Sequence, residues 1–361
     1  MMKVVFGIIL LLHGSIHLLG LIKAFRPQSI PQLTRNIQIP EGLLWLVAFL
    51  LLFAAAILYF LKKDGWEPVA IIGVILSQLL VTINWEEAKF GTLLNLLILA
   101  VALSAYGYSA FSAMTAKEVS VINSAPENSS SSSKNAMAAL PASVQKWLKV
   151  TGATDHTAVT TAYLEQKGRM KINPNGRWMR FYARQHFTVY EPAFVWRARV
   201  KAFPLVYLDG RDKLVNGKGE MLIKLFSLIK VAEAKGNLET DTGTMLRFLG
   251  EICWFPTAAL EPYISWKEIV PGEVKAVLAI KDQRVSGTFS FDRKGQLRSF
   301  EAFRYYGSGE KAKQEKWVIE ITEHKDFDGM LVPSACKVTW KLPGGDFTWL
   351  ELEITSLQYN S

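Results

Sequence analysis

Residues 90–133 read FGTLLNLLILAVALSAYGYSAFSAMTAKEVSVINSAPENSSSSS, and they contain the boundary between two kinds of sequence. The run from Phe90 to Phe111 carries no charge, whereas the segment after it ends in the serine tract Ser129 to Ser133. Apolar runs dominate before this boundary, and alternating patterns typical of β-strands dominate after it. The sequence therefore predicts an apolar helical part followed by a separately folding β part.

Four apolar runs precede the serine tract. They are Val4 to Ile22, Leu43 to Leu61, Val69 to Ile83 and Phe90 to Phe111. Because a bilayer core of about 30 Å needs roughly 20 helical residues, these runs predict a four-span transmembrane domain over residues 1–114. The third run is short, but Trp66 and Trp85 flank it as interfacial aromatics do. A soluble four-helix bundle is the alternative. A cleaved signal peptide is disfavoured, because no small-x-small site follows the first run.

Polar residues interrupt these apolar runs at matching depths. His13 and His17 are one helical turn apart, a spacing that can also hold a metal. His17, Gln78 and Asn95 each lie five residues from the end of their run that faces the same membrane surface. Since intramembrane polar groups tend to pair inside a bundle, we expect one polar cluster of these four residues. A hydrogen-bonded cluster, a metal site at His13 and His17, and a proton-handling site remain as interpretations.

Residues 115–139 are predicted to be a Ser-rich flexible linker, and residues 140–361 a soluble antiparallel β domain. The short loops carry four Lys or Arg on each side of the membrane, so they do not choose an orientation. An integral protein of a bacterial inner membrane with an external β domain is the hypothesis. The oligomeric state is left open.

Charge is unevenly distributed along the chain, whose formal net charge is +9. Residues 141–235 carry 17 Lys and Arg against 7 Asp and Glu, whereas residues 236–361 carry 15 against 18. A basic surface tethered to a bilayer would attract anionic headgroups, which makes membrane lipids expected partners. The basic residues form no nucleic-acid-binding motif, so nucleic acid is not an expected partner.

The two cysteines, Cys253 and Cys336, show no metal-type spacing. A single disulfide is open, but Cys253 stands in an apolar stretch where a free buried thiol is favoured. No cofactor is predicted.

From Ala158 onward the pattern has a period of two. Phe194, Trp196, Ala198 and Val200 alternate with Val195, Arg197, Arg199 and Lys201. Strands of this kind are predicted over 178–190, 194–201, 274–280, 284–291, 297–306, 317–322, 336–342 and 347–357. Turn residues separate the strands at Asp209-Gly210, Asn216-Gly217, Asp292 to Gly295 and Pro343 to Asp346. Consecutive hairpins predict a large antiparallel sheet, and the fold class is α+β.

Two segments of the β part have helical spacing instead. Pro141 opens a short amphipathic helix, and Thr242 to Leu260, TGTMLRFLGEICWFPTAAL, predicts a helix that covers the sheet. Arg247 and Glu251 are one turn apart on this second helix. They form either an ordinary i,i+4 ion pair or a polar site that faces a pocket.

Several stretches of the chain resemble a known family. These are HGSIHLLG at the start, LPASVQKWL, RFLGEICWFPTAAL and the ending VPSACKVTWKLPGGDFTWLELEITSLQYN. Together they resemble a bacterial family of membrane proteins of unknown function, with four N-terminal spans. The β part is similar, in its strand order and aromatic content, to the lipoprotein carriers LolA and LolB. That resemblance implies a half-open antiparallel barrel under helical lids.

Motifs for catalysis are absent from the sequence, including GxSxG, HExxH, a phosphate loop and a dinucleotide fingerprint. The leading hypothesis is a non-enzymatic, membrane-tethered β domain that binds a lipid, another hydrophobic ligand or a lipoprotein, in envelope maintenance. The pocket candidates are Trp178, Phe181, Trp196, Arg247, Glu251, Trp254, Phe255, Phe289, Phe291 and Trp340. The alternative is that the aromatic candidates fill the inside of the sheet as core residues and leave no pocket. The alternatives are a membrane enzyme or a metal or redox component that uses His13, His17 and Glu86, and a structural protein-interaction module.

Overall fold

The computed structural model describes residues 2–30, 34–124, 134–307 and 309–360. The chain divides into two compact units, Met1–Phe111 and Ser112–Ser361. Each unit is described by itself.

Apolar helices make up the first unit. They are α1 (Met2–Ile16), α2 (Leu18–Phe25), α3 (Ile39–Phe60), α4 (Trp66–Ile83), the single turn α5 (Trp85–Ala88) and the beginning of α6 (Gly91–Asn123). Within the described residues, four stretches are long and apolar enough to cross a membrane: Lys3–Phe25, Ile39–Phe60, Trp66–Ile83 and Gly91–Asn123. The four predicted spans are therefore confirmed as helices of spanning length.

The helix α6 continues beyond its apolar run, through residues 115–123 of the predicted linker. No Gly or Pro interrupts the sequence between Phe111 and Pro126, so nothing in the chain stops the helix earlier. Within the second unit, Glu118 pairs with Arg211 and Lys213, at 3.2 Å each. The serine tract lies outside the described residues, and a short helix α7 (Lys134–Ala138) follows it.

In the described part of the second unit, thirteen strands form one sheet. They are β1 (Thr161–Met170), β2 (Met179–Thr188), β3 (Ala193–Phe203), β4 (Val206–Val215), β5 (Lys218–Leu225), β6 (Ile229–Lys235), β7 (Ile264–Val270), β8 (Glu273–Ile280), β9 (Gln283–Phe291), β10 (Leu297–Tyr306), β11 (Lys313–Phe327), β12 (Met330–Leu342) and β13 (Gly345–Tyr359). Their order is β6-β5-β4-β3-β2-β1-β13-β12-β11-β10-β9-β8-β7. Two meanders, β1 to β6 and β7 to β13, are joined where β13 pairs antiparallel with β1. The predicted large antiparallel sheet is confirmed.

A helix between the two meanders lies against the sheet. This helix, α9 (Leu238–Glu251), contacts β4, β5 and β6 of the first meander and β8, β9 and β10 of the second. Because strands from both ends of the order touch one helix, the sheet must curve around α9. The half-barrel with a covering helix is thus confirmed.

The boundaries of α9 differ from the prediction. The helix begins at Leu238, where the Asn237 side chain accepts a hydrogen bond of 2.8 Å from the Thr240 backbone N–H. The regular helix ends at Glu251, and two 3₁₀ turns, Ile252–Trp254 and Pro256–Leu260, replace its predicted last part. Pro256 lacks a backbone N–H and cannot continue the α-helical ladder.

The amphipathic helix predicted after Pro141 is α8 (Ala142–Val150). Its Trp147 is buried, with its ring 5.6 Å from that of Phe291 and 6.2 Å from that of Phe289. The helix therefore packs against the sheet, as its spacing indicated.

One predicted turn is wrong. Asp209 and Gly210 lie inside β4, and the Asp209 carboxylate is fully buried and accepts a 2.7 Å hydrogen bond from Ser227 Oγ. That partner allows an aspartate to remain in a strand interior. The turn at Asn216-Gly217 is confirmed, since both residues have the positive φ, 55° and 76°, of a two-residue hairpin turn.

Candidate functional site

A cavity of about 420 Å³ lies inside the curved sheet of the second unit, beside α9. Ligand sites commonly measure roughly 300–1,000 Å³ and are lined mainly by apolar side chains. Large apolar residues of this kind line the cavity, among them Phe181, Val200, Trp254, Trp317, Ile319 and Trp340. The cavity therefore has the size and chemistry of a site for one hydrophobic molecule.

Strand alternation explains how the lining is built. Leu208, Gly210 and Asp212 are two residues apart on β4 and all line the cavity. Gly210 pairs with Ala198 on β3 and with Ile223 on β5, which also line it. Side chains that are paired across strands share a face, so one face of β3, β4 and β5 forms this wall.

A polar network around Arg247 lines another part of the cavity. The Arg247 guanidinium donates 2.8 Å hydrogen bonds to Glu251 Oε1 and Asp212 Oδ2, and a 3.3 Å bond to Gln185 Oε1. Its carbon Cζ lies 4.6 Å from the centre of the Trp196 ring. Arg247 and Glu251 thus form the i,i+4 ion pair and also line the pocket, so the two interpretations of their spacing hold together.

Glutamine side chains extend this network. Gln185 Nε2 donates to Glu251 Oε2 at 2.8 Å, and Gln166 Nε2 donates to Gln185 Oε1 at 3.2 Å. Trp196 Nε1 donates to Gln166 Oε1 at 2.9 Å. The acceptors of these residues are therefore occupied by donors of the protein itself.

Glu251 gives the network a dependence on pH. Burial raises the pKa of its carboxyl above the ordinary value, against the opposing effect of Arg247. The folded state therefore binds the Glu251 proton more tightly than the unfolded state, and this group's contribution to stability falls as pH rises through the interval between the two pKa values.

We expect the free energy of unfolding of Glu251→Gln to lack this decline. Urea unfolding of the full-length protein in detergent, compared at pH 4.5 and pH 7, measures it. A wild-type advantage over the variant that grows with pH would contradict the assignment.

Six of the ten predicted pocket residues line the cavity. They are Phe181, Trp196, Arg247, Glu251, Trp254 and Trp340. Phe255, Phe289 and Phe291 do not, because other rings cover them. Phe255 lies 4.7 Å from the Phe187 ring, and Phe289 lies 4.8 Å from the Phe300 ring.

Trp178 is also absent from the cavity lining. Arg169 and Lys171 lie over its ring, at 4.6 Å and 4.9 Å, so its face is occupied by cations of the same unit. This residue and the three phenylalanines therefore lie outside the lining of this cavity.

Other residues that line the cavity were not predicted from the sequence, including Gln166, Asp212, Arg304, Trp317 and Trp349. The alternation of residues along β10 could have predicted Arg304 on the inner face, because it follows the buried Phe300 and Ala302 at a period of two. Burial lowers the pKa of Arg304 to about 10, which leaves it charged at neutral pH.

The two cysteines are free thiols. Both Cys253 and Cys336 are free and buried beside the cavity. Burial raises the pKa of Cys336 to about 12 and that of Cys253 well above its ordinary value. Such thiols are poor nucleophiles at neutral pH.

The predicted polar residues of the first unit come together. His13 Nε2 lies 2.7 Å from Asn95 Oδ1, and Asn95 Nδ2 donates to Gln78 Oε1 at 3.0 Å. His17 Nε2 lies 2.8 Å from Ser77 Oγ, a residue that sequence analysis did not include. Because an amide oxygen only accepts, His13 Nε2 is the donor of its bond.

A metal site at His13 and His17 stays a prediction. Among the described residues, no group of three or more His, Cys, Asp or Glu is arranged to hold a metal ion. Glu86, the third residue of the alternative site, stands on the single turn α5.

These features define a class of protein: apolar helices of membrane-spanning length, followed by an antiparallel sheet with an apolar cavity inside. The chain belongs to DUF6920, a family of unknown function, which matches residues 138–359. No curated protein matches the chain.

Three of the solved structures that are similar to the chain come from bacteria of different genera. One, from Vibrio parahaemolyticus, is described as an outer membrane lipoprotein-sorting protein domain; it has 9% identity, covers 60% of this chain and 92% of its own, and has a TM-score of 0.38. A LolA superfamily protein from Nitrosomonas europaea is 8% identical to this chain. The match covers 60% of this chain and 94% of that protein, with a TM-score of 0.35. A DUF1329 family protein from Desulfovibrio piger is 10% identical to this chain. The match covers 61% of this chain and 92% of that protein, with a TM-score of 0.35. The expected LolA-like neighbours are found. At these identities and TM-scores, the similarity concerns the arrangement of the strands alone.

Proposed function

We propose that the β domain binds one hydrophobic molecule, such as a lipid, inside its sheet, and that the helices tether this binding domain to a membrane. The cavity of about 420 Å³ carries the proposal. Burial of an apolar ligand there would gain about 25 cal/mol per Å² of apolar surface removed from water.

The walls of the cavity support binding rather than chemistry. Aromatic rings on neighbouring strands face it, and three of its titratable groups are bonded together, because Arg247 pairs with both Asp212 and Glu251. Groups fixed in this way orient a ligand and are not free for proton transfer. A non-enzymatic role follows as part of the proposal.

The apolar helices in the same chain supply the context. Four of them are long enough to cross a membrane. A binding domain attached to such an anchor meets hydrophobic molecules at a high effective concentration, because the tether holds it near the bilayer.

The test is direct binding to the full-length protein in nanodiscs of zwitterionic lipid. We expect the neutral probe N-phenyl-1-naphthylamine to bind saturably at one site per chain beyond its partition into empty nanodiscs. Native mass spectrometry of the same protein should show one co-purifying hydrophobic molecule per chain. Probe uptake that matches empty nanodiscs, together with a protein mass free of adducts, would refute the proposal.

A further inference from the structure

We propose that the ligand of this cavity is an anionic amphiphile, whose carboxylate or phosphate head binds Arg304 while its apolar chain fills the cavity. This inference rests on the proposed function and names the chemical class of the ligand. The observation behind it is the Arg304 guanidinium, which lines the cavity and has no hydrogen-bond acceptor among the described residues.

Arg304 lies beside aromatic side chains of the neighbouring strands. On β10 its neighbour at a period of two is Ala302, which pairs with Trp317 on β11, and Trp317 pairs with Trp340 on β12. The Arg304 guanidinium carbon lies 4.9 Å from the Trp317 ring centre and 5.9 Å from that of Trp340. Side chains paired in this register share the inner face of the sheet, so the cation is held against two indole rings.

The other side of Arg304 meets α9. A Cβ atom added to Gly243 would lie 3.1 Å from Arg304 Nε and 3.3 Å from Nη2. The absence of a side chain at Gly243 therefore makes room for the guanidinium. A cation held between a helix backbone and two indoles has little freedom to swing into bulk water.

No acceptor satisfies this guanidinium. Within the described ranges, Arg304 has neither a hydrogen bond nor an ion pair, whereas Arg247 has both. Arg304 is half-buried, and its guanidinium carries five N–H donors that a ligand in the cavity can use. Asp212 and Glu251 favour the charge of Arg304 through space, but Arg247 already binds both carboxylates.

Lys171, another cation of the lining, donates to the Pro174 carbonyl at 3.4 Å. Arg304 lacks an acceptor among the described residues, and a planar or tetrahedral oxyanion matches a guanidinium through two parallel hydrogen bonds.

The apolar walls determine the rest of the ligand. A small anion would satisfy the donors but would leave the surfaces of residues such as Val200, Ile223 and Val338 uncovered. An acyl chain with an anionic head satisfies both parts of the site. Carboxylate and phosphate heads share this chemistry, and a free anion is distinguished by the experiment.

The test is competition against the neutral probe on the full-length protein in zwitterionic nanodiscs, after correction for partition into empty discs. Palmitate and hexadecanol have the same chain length and differ in charge. We expect palmitate to compete about ten-fold more strongly, since one charge-assisted bidentate contact corresponds to roughly that factor. In Arg304→Gln the two competitors should become equal, while Arg304→Lys should restore part of the preference.

The matched control is Arg298→Gln on the same strand, whose side chain is 61% exposed and pairs with Asp292. It should keep the wild-type preference. Equal competition by palmitate and hexadecanol in the wild type, or an unchanged preference in a folded Arg304→Gln, would overturn the inference and leave the proposed function standing. Competition by acetate or inorganic phosphate alone at the concentration of palmitate would also overturn it. Absence of probe binding altogether refutes the proposed function instead.

Discussion

Replacing Gly210 by phenylalanine should weaken binding of the neutral probe about 100-fold without unfolding the protein. Gly210 lines the cavity, and a Cβ atom at this position would meet only the Trp196 ring, at 3.9 Å. A phenyl group there would occupy space that the proposed ligand needs. Displacing about four methylene groups at ~0.8 kcal/mol each corresponds to this factor.

The stability of this variant should be unchanged or higher. Gly210 lacks the positive φ that only glycine adopts easily, and an aromatic residue in a strand is favoured over glycine. Gly344→Phe is the matched control, because Gly344 is exposed in the turn between β12 and β13 with nothing within 4 Å of its added Cβ. If Gly210→Phe folds and binds the probe as tightly as the control, the cavity is not the binding site.

Replacing Arg247 by methionine should lower the free energy of unfolding by about 3–5 kcal/mol, the usual cost of removing one partner from a buried ion pair. The side chain is 14% exposed, and its pairs with Glu251 and Asp212 are both 2.8 Å long. Methionine keeps much of the apolar contact with Trp196, so the loss comes mainly from two carboxylates left without a cation. Urea unfolding of the full-length protein in detergent, followed by near-ultraviolet circular dichroism, measures the change.

A second substitution separates charge from packing. Adding Glu251→Gln to Arg247→Met should regain part of the stability, because one unpaired buried charge is then removed. Lys230→Met is the control, since Lys230 forms an exposed pair with Glu233 at 2.7 Å and such pairs are worth about 0–1 kcal/mol. A loss below about 1 kcal/mol for Arg247→Met would mean that solvent reaches the network and that it does not hold α9 on the sheet.

Strands with a strict alternation of apolar and polar residues were predictable from the sequence, and a strand with charged residues on both faces was not. The predicted strand 297–306 coincides with β10. The strand β4 carries Asp209, Arg211, Asp212 and Lys213, which hide its period of two and produced the wrong turn at Asp209-Gly210. Those charges are tolerated because partners from other elements reach them, such as Glu220 for Arg211 and Arg247 for Asp212.

The C-terminal end of α9 was likewise predictable only in part. Pro256 in the sequence was enough to predict that the helical pattern stops. The earlier change to 3₁₀ turns depends on packing, because Trp254 Nε1 donates to the Pro333 carbonyl of β12 at 3.1 Å. A contact between residues so far apart in the chain leaves no local pattern.

The site was predicted in part. Large aromatics at inward positions pointed to Phe181, Trp196 and Trp340, which line the cavity. The same argument also chose Phe289 and Phe291, although Trp147 of α8 packs beside their rings. Residue type and alternation predict on which face of the sheet a side chain lies. They do not predict whether a helix or an empty cavity covers that face.

The sequence by itself determined the division of the chain, the apolar helices, the period of the strands and the antiparallel class. These follow from local periodicity, which each segment carries regardless of its neighbours. Only the tertiary structure decided where the sheet curves around α9, which inward side chains remain uncovered, and that, among the described residues, Arg247 is paired while Arg304 is not. Those outcomes depend on strand register and on contacts between distant segments, and no local pattern encodes the distance between two such segments.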